Sequence, residues 1–396
     1  MSTLFTIAFR PLFLFATLYA IVIVPYWLAA WLGAHPMPVS LGSPIWWHAH
    51  EMIYGFAAAA VGGFALTAVA TWTKRPPVSG APLMLLTGAW LFARMGFASR
   101  VETLLPAAMG ADLAYGVLLF LLMSREVVSA RNDRNYKTLL ILALLPVTNA
   151  AFFAGLAYDA PWQMAALLAG LWLIVLMINL IGGRIIPAFT QNWLKRNVRA
   201  SAAAPSEPVP TFNRFDLFTT WLLMLFASAQ VAGAPANGSA LLGIITGALL
   251  LIRLGRWQGW RARSEPLVWV LHLAFAWIPL GILLLSAAEL GLVPRTAGTH
   301  ALTTGAVTTM ILAVAGRAAL GHTKRPLETH PVLTASYLLI TLAAITRVAA
   351  TFGPGARVLM MISATAWTLG FLCFAWRYAP ILTQPAADKP GRLPTI

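Results

Sequence analysis

The strongest local constellation of metal-ligating side chains in this 396-residue sequence is Trp47-His48-Ala49-His50-Glu51-Met52, with two imidazoles and a carboxylate inside four positions. At 100° per residue, His48, Glu51, Gly55, Ala59 and Gly62 fall on one helix face, while His50 points almost opposite. A histidine heading a stripe of glycine and alanine offers an axial ligand beside a flat surface, which is what a macrocycle such as haem needs. The same stripe serves close helix packing with no cofactor, and spacing alone does not separate the two readings.

A second constellation is His300-Ala301-Leu302-Thr303-Thr304-Gly305, whose segment ends at Gly321-His322. On a regular helix His300 and His322 share a face but stand roughly 33 Å apart, too far for one metal ion. Either the two ends serve two sites, or His322 is an interfacial residue reaching water. His272 could join His322 and His330 in a further cluster, against the plainer reading of hydrogen-bonded structural histidines. His35, near Met37, is a weak copper candidate through imidazole and thioether. Arg94 and Arg347 either neutralise Asp112 or Glu289, or hold the carboxylates of a haem. Arg184 and Arg317 lie towards the opposite ends of their segments. The single cysteine, Cys373, excludes disulfides, Cys-rich metal sites and covalent haem attachment through a C-x-x-C-H motif.

The elements that must position these residues are membrane spans. Hydrophobic residues make up 59% of the chain and charged ones 10%, against roughly 25% charged in a soluble domain, so a soluble globular protein is excluded. Apolar runs fall at 11–32, 46–72, 81–100, 104–124, 138–157, 161–187, 216–233, 238–255, 266–288, 299–320, 332–352 and 357–378. The expected fold is therefore an all-α polytopic membrane protein of twelve transmembrane helices. The first run is too long for a signal peptide and is read as a retained span.

Basic residues concentrate in alternate gaps: Lys74 and Arg75; Arg125, Arg131, Arg134 and Lys137; Lys195, Arg196, Arg199 and Arg214; Arg256, Arg261 and Arg263; Lys324 and Arg325. The positive-inside rule then places these gaps and both termini in the cytoplasm, and accounts for a net charge of +15 without nucleic acid. The chain reads as one membrane domain: a six-helix half over 1–187, a cytoplasmic linker over 188–214 with an Ala-Pro-Ser-Glu-Pro core, a second half over 215–380 and a short tail over 381–396. No convincing repeat relates the halves. Gly182-Gly183-Arg184-Ile185-Ile186-Pro187 is expected to end the sixth helix at the interface. Trp46, Trp47, Trp72, Trp162, Trp193, Trp257 and Trp260 are expected to form interfacial belts.

Taken in order, the motifs resemble those of the NnrS family of twelve-helix bacterial inner-membrane proteins. They are Phe9-Arg10-Pro11-Leu12-Phe13, Trp47-His48-Ala49-His50-Glu51-Met52, Thr71-Trp72-Thr73, Gly183-Arg184-Ile185-Ile186-Pro187, Asn192-Trp193, His300-Ala301-Leu302-Thr303, Gly321-His322-Thr323 and Arg377-Tyr378-Ala379-Pro380-Ile381-Leu382. One departure is Ala70-Thr71 before Trp72, where the family pattern is Pro-Asn. The resemblance implies non-covalent b-type haem and copper, and a role in denitrification and nitric oxide stress. It places metal-ligand candidates on His48, His50, His300 and His322; the reading of the residues themselves adds Glu51, His272 and His330 as metal candidates and Arg94 and Arg347 as partners of the cofactor's carboxylates. The implied partners are the lipid bilayer, nitric oxide or a related nitrogen oxide, and an unspecified redox partner. The competing classes are a secondary transporter and an electron-transfer membrane subunit. A carrier would gain nothing obvious from two histidines opening its second helix, and the acidic and glycine pattern of major-facilitator proteins is missing from Thr73-Lys74-Arg75-Pro76-Pro77.

Overall fold

A computed structural model describes residues 2–36, 40–99, 101–201 and 208–387, the side chains of 197–201 excepted. Met37 and most of the Ala-Pro-Ser-Glu-Pro core lie outside the described residues. Twelve helices are long and apolar enough to span a bilayer. They are α1 (Phe9–Trp31), α2 (Pro44–Thr73), α3 (Ala81–Ala98), α4 (Glu102–Ser129), α5 (Asp133–Ala157), α6 (Gln163–Arg196), α7 (Arg214–Ala232), α8 (Ala236–Arg256), α9 (Pro266–Glu289), α10 (Arg295–His322), α11 (Pro331–Ala349) and α12 (Ala356–Thr383). No strand occurs among the described residues. Helix is the expected form, because a chain crossing lipid must satisfy its backbone polar groups internally. Each span overlaps one of the apolar runs read from the sequence over most of that run.

The expected end of the sixth helix is corrected. α6 continues through Gly182, Gly183 and Pro187 to Arg196, well into the stretch assigned to the linker. Proline is tolerated in spans whose surroundings satisfy the freed carbonyl. Gly183 serves packing: a Cβ there would collide with the guanidinium of Arg253 on α8.

α2 and α10 share an unexpected construction. Each begins with a short α-helical stretch, Pro44–His50 or Arg295–His300, passes into seven π-helical residues, Glu51–Ala57 or Ala301–Val307, and returns to α-helix. Both are followed by a lysine in the left-handed region, Lys74 and Lys324, each with φ 57°. Pro44, His50, Gly55 and Thr73-Lys74-Arg75-Pro76 recur 250 positions later as Pro294, His300, Gly305 and Thr323-Lys324-Arg325-Pro326. A local repeat therefore exists, in a register that comparing the two halves did not reveal.

The chain forms two compact units. One is Met1–Leu173 with Phe374–Ala386; the other is Ile174–Cys373 together with Ala387. In the first, α1 packs on α2, α3 on α4, and α4 on α5. Arg10, buried in the first turns of α1, donates through Nη1 to the carbonyls of Ile381, Leu382 and Gln384 at 3.3, 2.8 and 2.6 Å. It thereby caps the end of α12 and brings the two ends of the chain together. In the second unit α9 is the hub, packed on α8 and along α10. Trp162 and Trp260 are exposed, as a belt requires, whereas Trp47 and Trp257 are buried and do not fit one. Trp47 instead donates to the Phe97 carbonyl at 3.0 Å.

Candidate functional site

In the first unit, five helices converge on a charged cluster sealed from solvent. Glu51 and His50 come from α2, Arg94 from α3, Asp112 from α4, Asn149 from α5 and the hydroxyl of Tyr19 from α1. Glu51 and His50 are completely buried, and Arg94, Asp112 and Asn149 nearly so. Arg94 donates through Nη1 to Glu51 Oε1 at 2.9 Å and through Nη2 to Asp112; Tyr19 donates to the other Glu51 oxygen. Asn149 Nδ2 donates to Asp112 Oδ2 at 2.7 Å, which turns its Oδ1 towards His50 Nε2 at 3.0 Å.

His50 thus meets acceptors on both sides: Glu51 Oε1 at 3.0 Å from Nδ1, and Asn149 Oδ1 with Asp112 Oδ2, the latter at 3.2 Å, from Nε2. A ring flanked only by acceptors must donate from both nitrogens and so carries both protons. Two carboxylates are balanced by one guanidinium and one imidazolium, and the cluster is neutral. In this arrangement His50 has no lone pair to offer a metal. A cavity of about 20 Å³ beside Asp112, lined by Tyr54, Tyr115, Pro146 and Asn149, has room for one water. The helical-wheel expectation that His50 points away from Glu51 is corrected; adjacent long side chains on a π-helical turn reach the same cluster.

The glycine stripe of α2 is a packing seam. Over Gly55 sit Arg94 and Tyr19, and over Gly62 sit Tyr115 and Leu12. Protein side chains fill the strip that a macrocycle would require. His48, half-buried, faces α1 and stacks on Trp27 with ring centroids 4.6 Å apart and planes 15° from parallel.

In the second unit, His300 stands immediately before the π-helical turn of α10. It is half-buried, and its Nδ1 lies 2.8 Å from the Thr296 carbonyl one turn back. A carbonyl only accepts, so Nδ1 carries a hydrogen, and in the neutral ring Nε2 carries the lone pair, the tautomer of a metal-ligating histidine oriented by its neighbour. Five residues on, the indole of Trp277 from α9 lies against Gly305. α11 packs on this part of α10. Arg347, near the end of α11, is half-buried, with no charged partner among the described residues. Glu289, one of its suggested partners, instead pairs with Arg295 at 2.6 Å and accepts from Gln230. The π turn also removes the shared face expected for His300 and His322, since it advances by roughly 80° per residue instead of 100°.

The suggested cluster of His272, His322 and His330 is not gathered into a three-ligand group among the described residues. His272, on α9, is buried against Gly259 with Nε2 2.8 Å from the Thr190 hydroxyl. His330 caps α11 by accepting from the Val332 amide. His322 is exposed at the end of α10. His35 is exposed with Nδ1 2.7 Å from the Pro36 carbonyl.

Residue-by-residue reading missed a second buried charge group. Arg253 on α8, wholly buried, donates to Asp216 and Asn179, both at 2.6 Å, and lies against Trp257 and Phe275. The available signal was an opposite charge near the end of each of two successive apolar runs, Asp216 in one and Arg253 in the next.

Twelve helical spans around buried, internally neutralised polar clusters define a multi-pass, all-helical membrane protein. The family profile described as NnrS protein matches residues 3–386, nearly the whole chain, and the protein belongs to the NnrS family. Comparison with curated proteins found no match.

Proposed function

We propose that this protein binds haem and copper in the bacterial inner membrane, with both termini in the cytoplasm, and acts in the response to nitric oxide and nitrosative stress. His300 is the foremost iron ligand in this reading. The observation that supports it is the hydrogen bond from His300 Nδ1 to the Thr296 carbonyl, which fixes the orientation of a half-buried ring beside a π-helical turn as ligating histidines are fixed by their neighbours. Arg347 suits the carboxylates of a haem, because no described carboxylate pairs with it; Arg94 is committed to Glu51 and Asp112. His48 and His322 are the further ligands proposed for iron or copper.

When bound, haem supplies an iron that can hold a diatomic gas, and copper an electron or a second point of attachment. The chain contributes orientation and an apolar setting: nitric oxide partitions into lipid, so the spans need no polar channel to admit it. His50, Glu51 and Asn149 hold α2 in place. The transporter reading loses support at the buried carboxylates. Glu51, Asp112, Glu126 and Asp216 are buried and each is already paired with arginine, so none of them stands ready for a coupling ion.

The test is the optical spectrum and metal content of detergent-purified protein, produced with adequate haem supply, for wild type and for His48→Ala, His50→Ala, His300→Ala and His322→Ala. Loss of the Soret band in His300→Ala with helix content preserved is expected, whereas His50→Ala lowers the yield of folded protein. A colourless, metal-free wild type overturns the proposal.

A further inference from the structure

The end of α10 towards His322 carries Arg317, Lys324 and Arg325, and no described carboxylate forms an ion pair with any of them. Arg317 lies five residues inside the span and is half-buried, with its guanidinium carbon 3.8 Å from the ring centroid of Phe189 on α6. No described carboxylate forms an ion pair with it; the charges it senses are Arg196, of like sign, and Glu265. Glu265 is engaged elsewhere, accepting from the Leu267 amide at 3.2 Å and the Thr329 hydroxyl at 2.8 Å.

Arg325 follows the span end, its backbone N–H donating a hydrogen bond to the Leu320 carbonyl at 3.0 Å, and its Nη1 is buried without a hydrogen-bond partner among the described residues. The local repeat supplies the comparison. Arg75, at the matching position after α2, donates through Nε to Glu126 at 2.6 Å. The first copy therefore gives this arginine an acceptor, and the second does not. A buried guanidinium hydrogen left without an acceptor is costly, and such groups point to a missing ion or water.

We propose that the Arg317–Arg325 end of α10 binds a phosphate-bearing anion, with Arg325 donating to it as Arg75 donates to Glu126 and Arg317 adding charge from its seat on Phe189. Phosphate oxygens suit the guanidinium fork. Basic pockets between spans at headgroup depth recognise anionic lipid headgroups, and free phosphate carries the same chemistry. This site stands independently of any haem at His300.

The experiment uses the full chain in phosphatidylcholine nanodiscs, with increasing phosphatidylglycerol in one arm and inorganic phosphate in the other, read by thermal unfolding and by native mass spectrometry of retained lipid. Saturable stabilisation by phosphatidylglycerol identifies a lipid headgroup, and by phosphate alone a soluble anion; either supports the site. Arg325→Gln and Arg317→Gln are each expected to weaken it roughly fivefold, from about 1 kcal/mol per basic residue. Lys137→Gln, exposed on another gap, is expected to leave it unchanged. Should Arg317→Gln fail to fold, the half-exposed Arg325 carries the test. Absence of saturable stabilisation in both arms, or equal loss in Lys137→Gln, overturns the proposal.

Discussion

At Arg94 a single guanidinium holds two buried carboxylates, Glu51 and Asp112, from different helices. Replacing it with methionine leaves two negative charges against one imidazolium in a space without solvent. Removing one partner from a buried pair typically costs about 3–5 kcal/mol. Arg94→Met is therefore expected to lower the thermal midpoint sharply in detergent, and Arg94→Met combined with Glu51→Gln to recover part of the loss. Equal midpoints for Arg94→Met and wild type would show the cluster to be unimportant for stability. The residue scale also separates the histidines, which are chemically identical in the sequence. Acceptors on both sides give His50 two protons, whereas His300 donates from Nδ1 to a carbonyl of its own helix and keeps a lone pair on Nε2 in its neutral form.

The two π-helical turns are the elements that set these environments. Within α10, Ala301–Val307 changes the direction of everything before it relative to Gly305 and the rest of the span. Deleting Thr304 returns this stretch to 3.6 residues per turn and swings His300 by about 100°. The deletion is expected to abolish Soret absorbance and lower the unfolding midpoint, while Thr304→Ala, which preserves the register, is expected to keep both. A deletion variant with an unaltered spectrum would remove the π turn from the account of the site. Gly183 shows a different use of a small residue: it keeps α6 continuous while admitting Arg253 against its backbone.

For the whole molecule, the contact that joins the chain's ends is Arg10 on the last carbonyls of α12. These carbonyls end a helix and have no partner within it, so a buried cation there satisfies both hydrogen bonds and the helix dipole. Arg10→Ala is expected to cost about 1.5–3 kcal/mol, the range for hydrogen bonds to a charged group. It should also render the segment after Thr383 sensitive to protease while α2 to α5 stay resistant; unchanged midpoint and proteolysis would contradict this. The same contact requires an even number of crossings, in agreement with twelve spans.

Composition and the spacing of apolar runs were enough to locate all twelve spans, because burial in lipid demands about 20 consecutive apolar residues whatever their neighbours are. Family motifs spread along the chain were likewise readable in one dimension. What the sequence left open was the state of each ionisable group. His48, His50 and Glu51 were all ligand candidates, but their roles depend on Tyr19, Trp27, Arg94, Asp112 and Asn149, which arrive from four other helices. Helical-wheel geometry failed where a π turn broke the 100° step, and Pro187 misled because its surroundings, and not its type, decide whether a buried helix continues. Hydrophobicity is a local sum and survives in the sequence; hydrogen-bond partnership is a meeting of distant atoms and exists only in the folded chain.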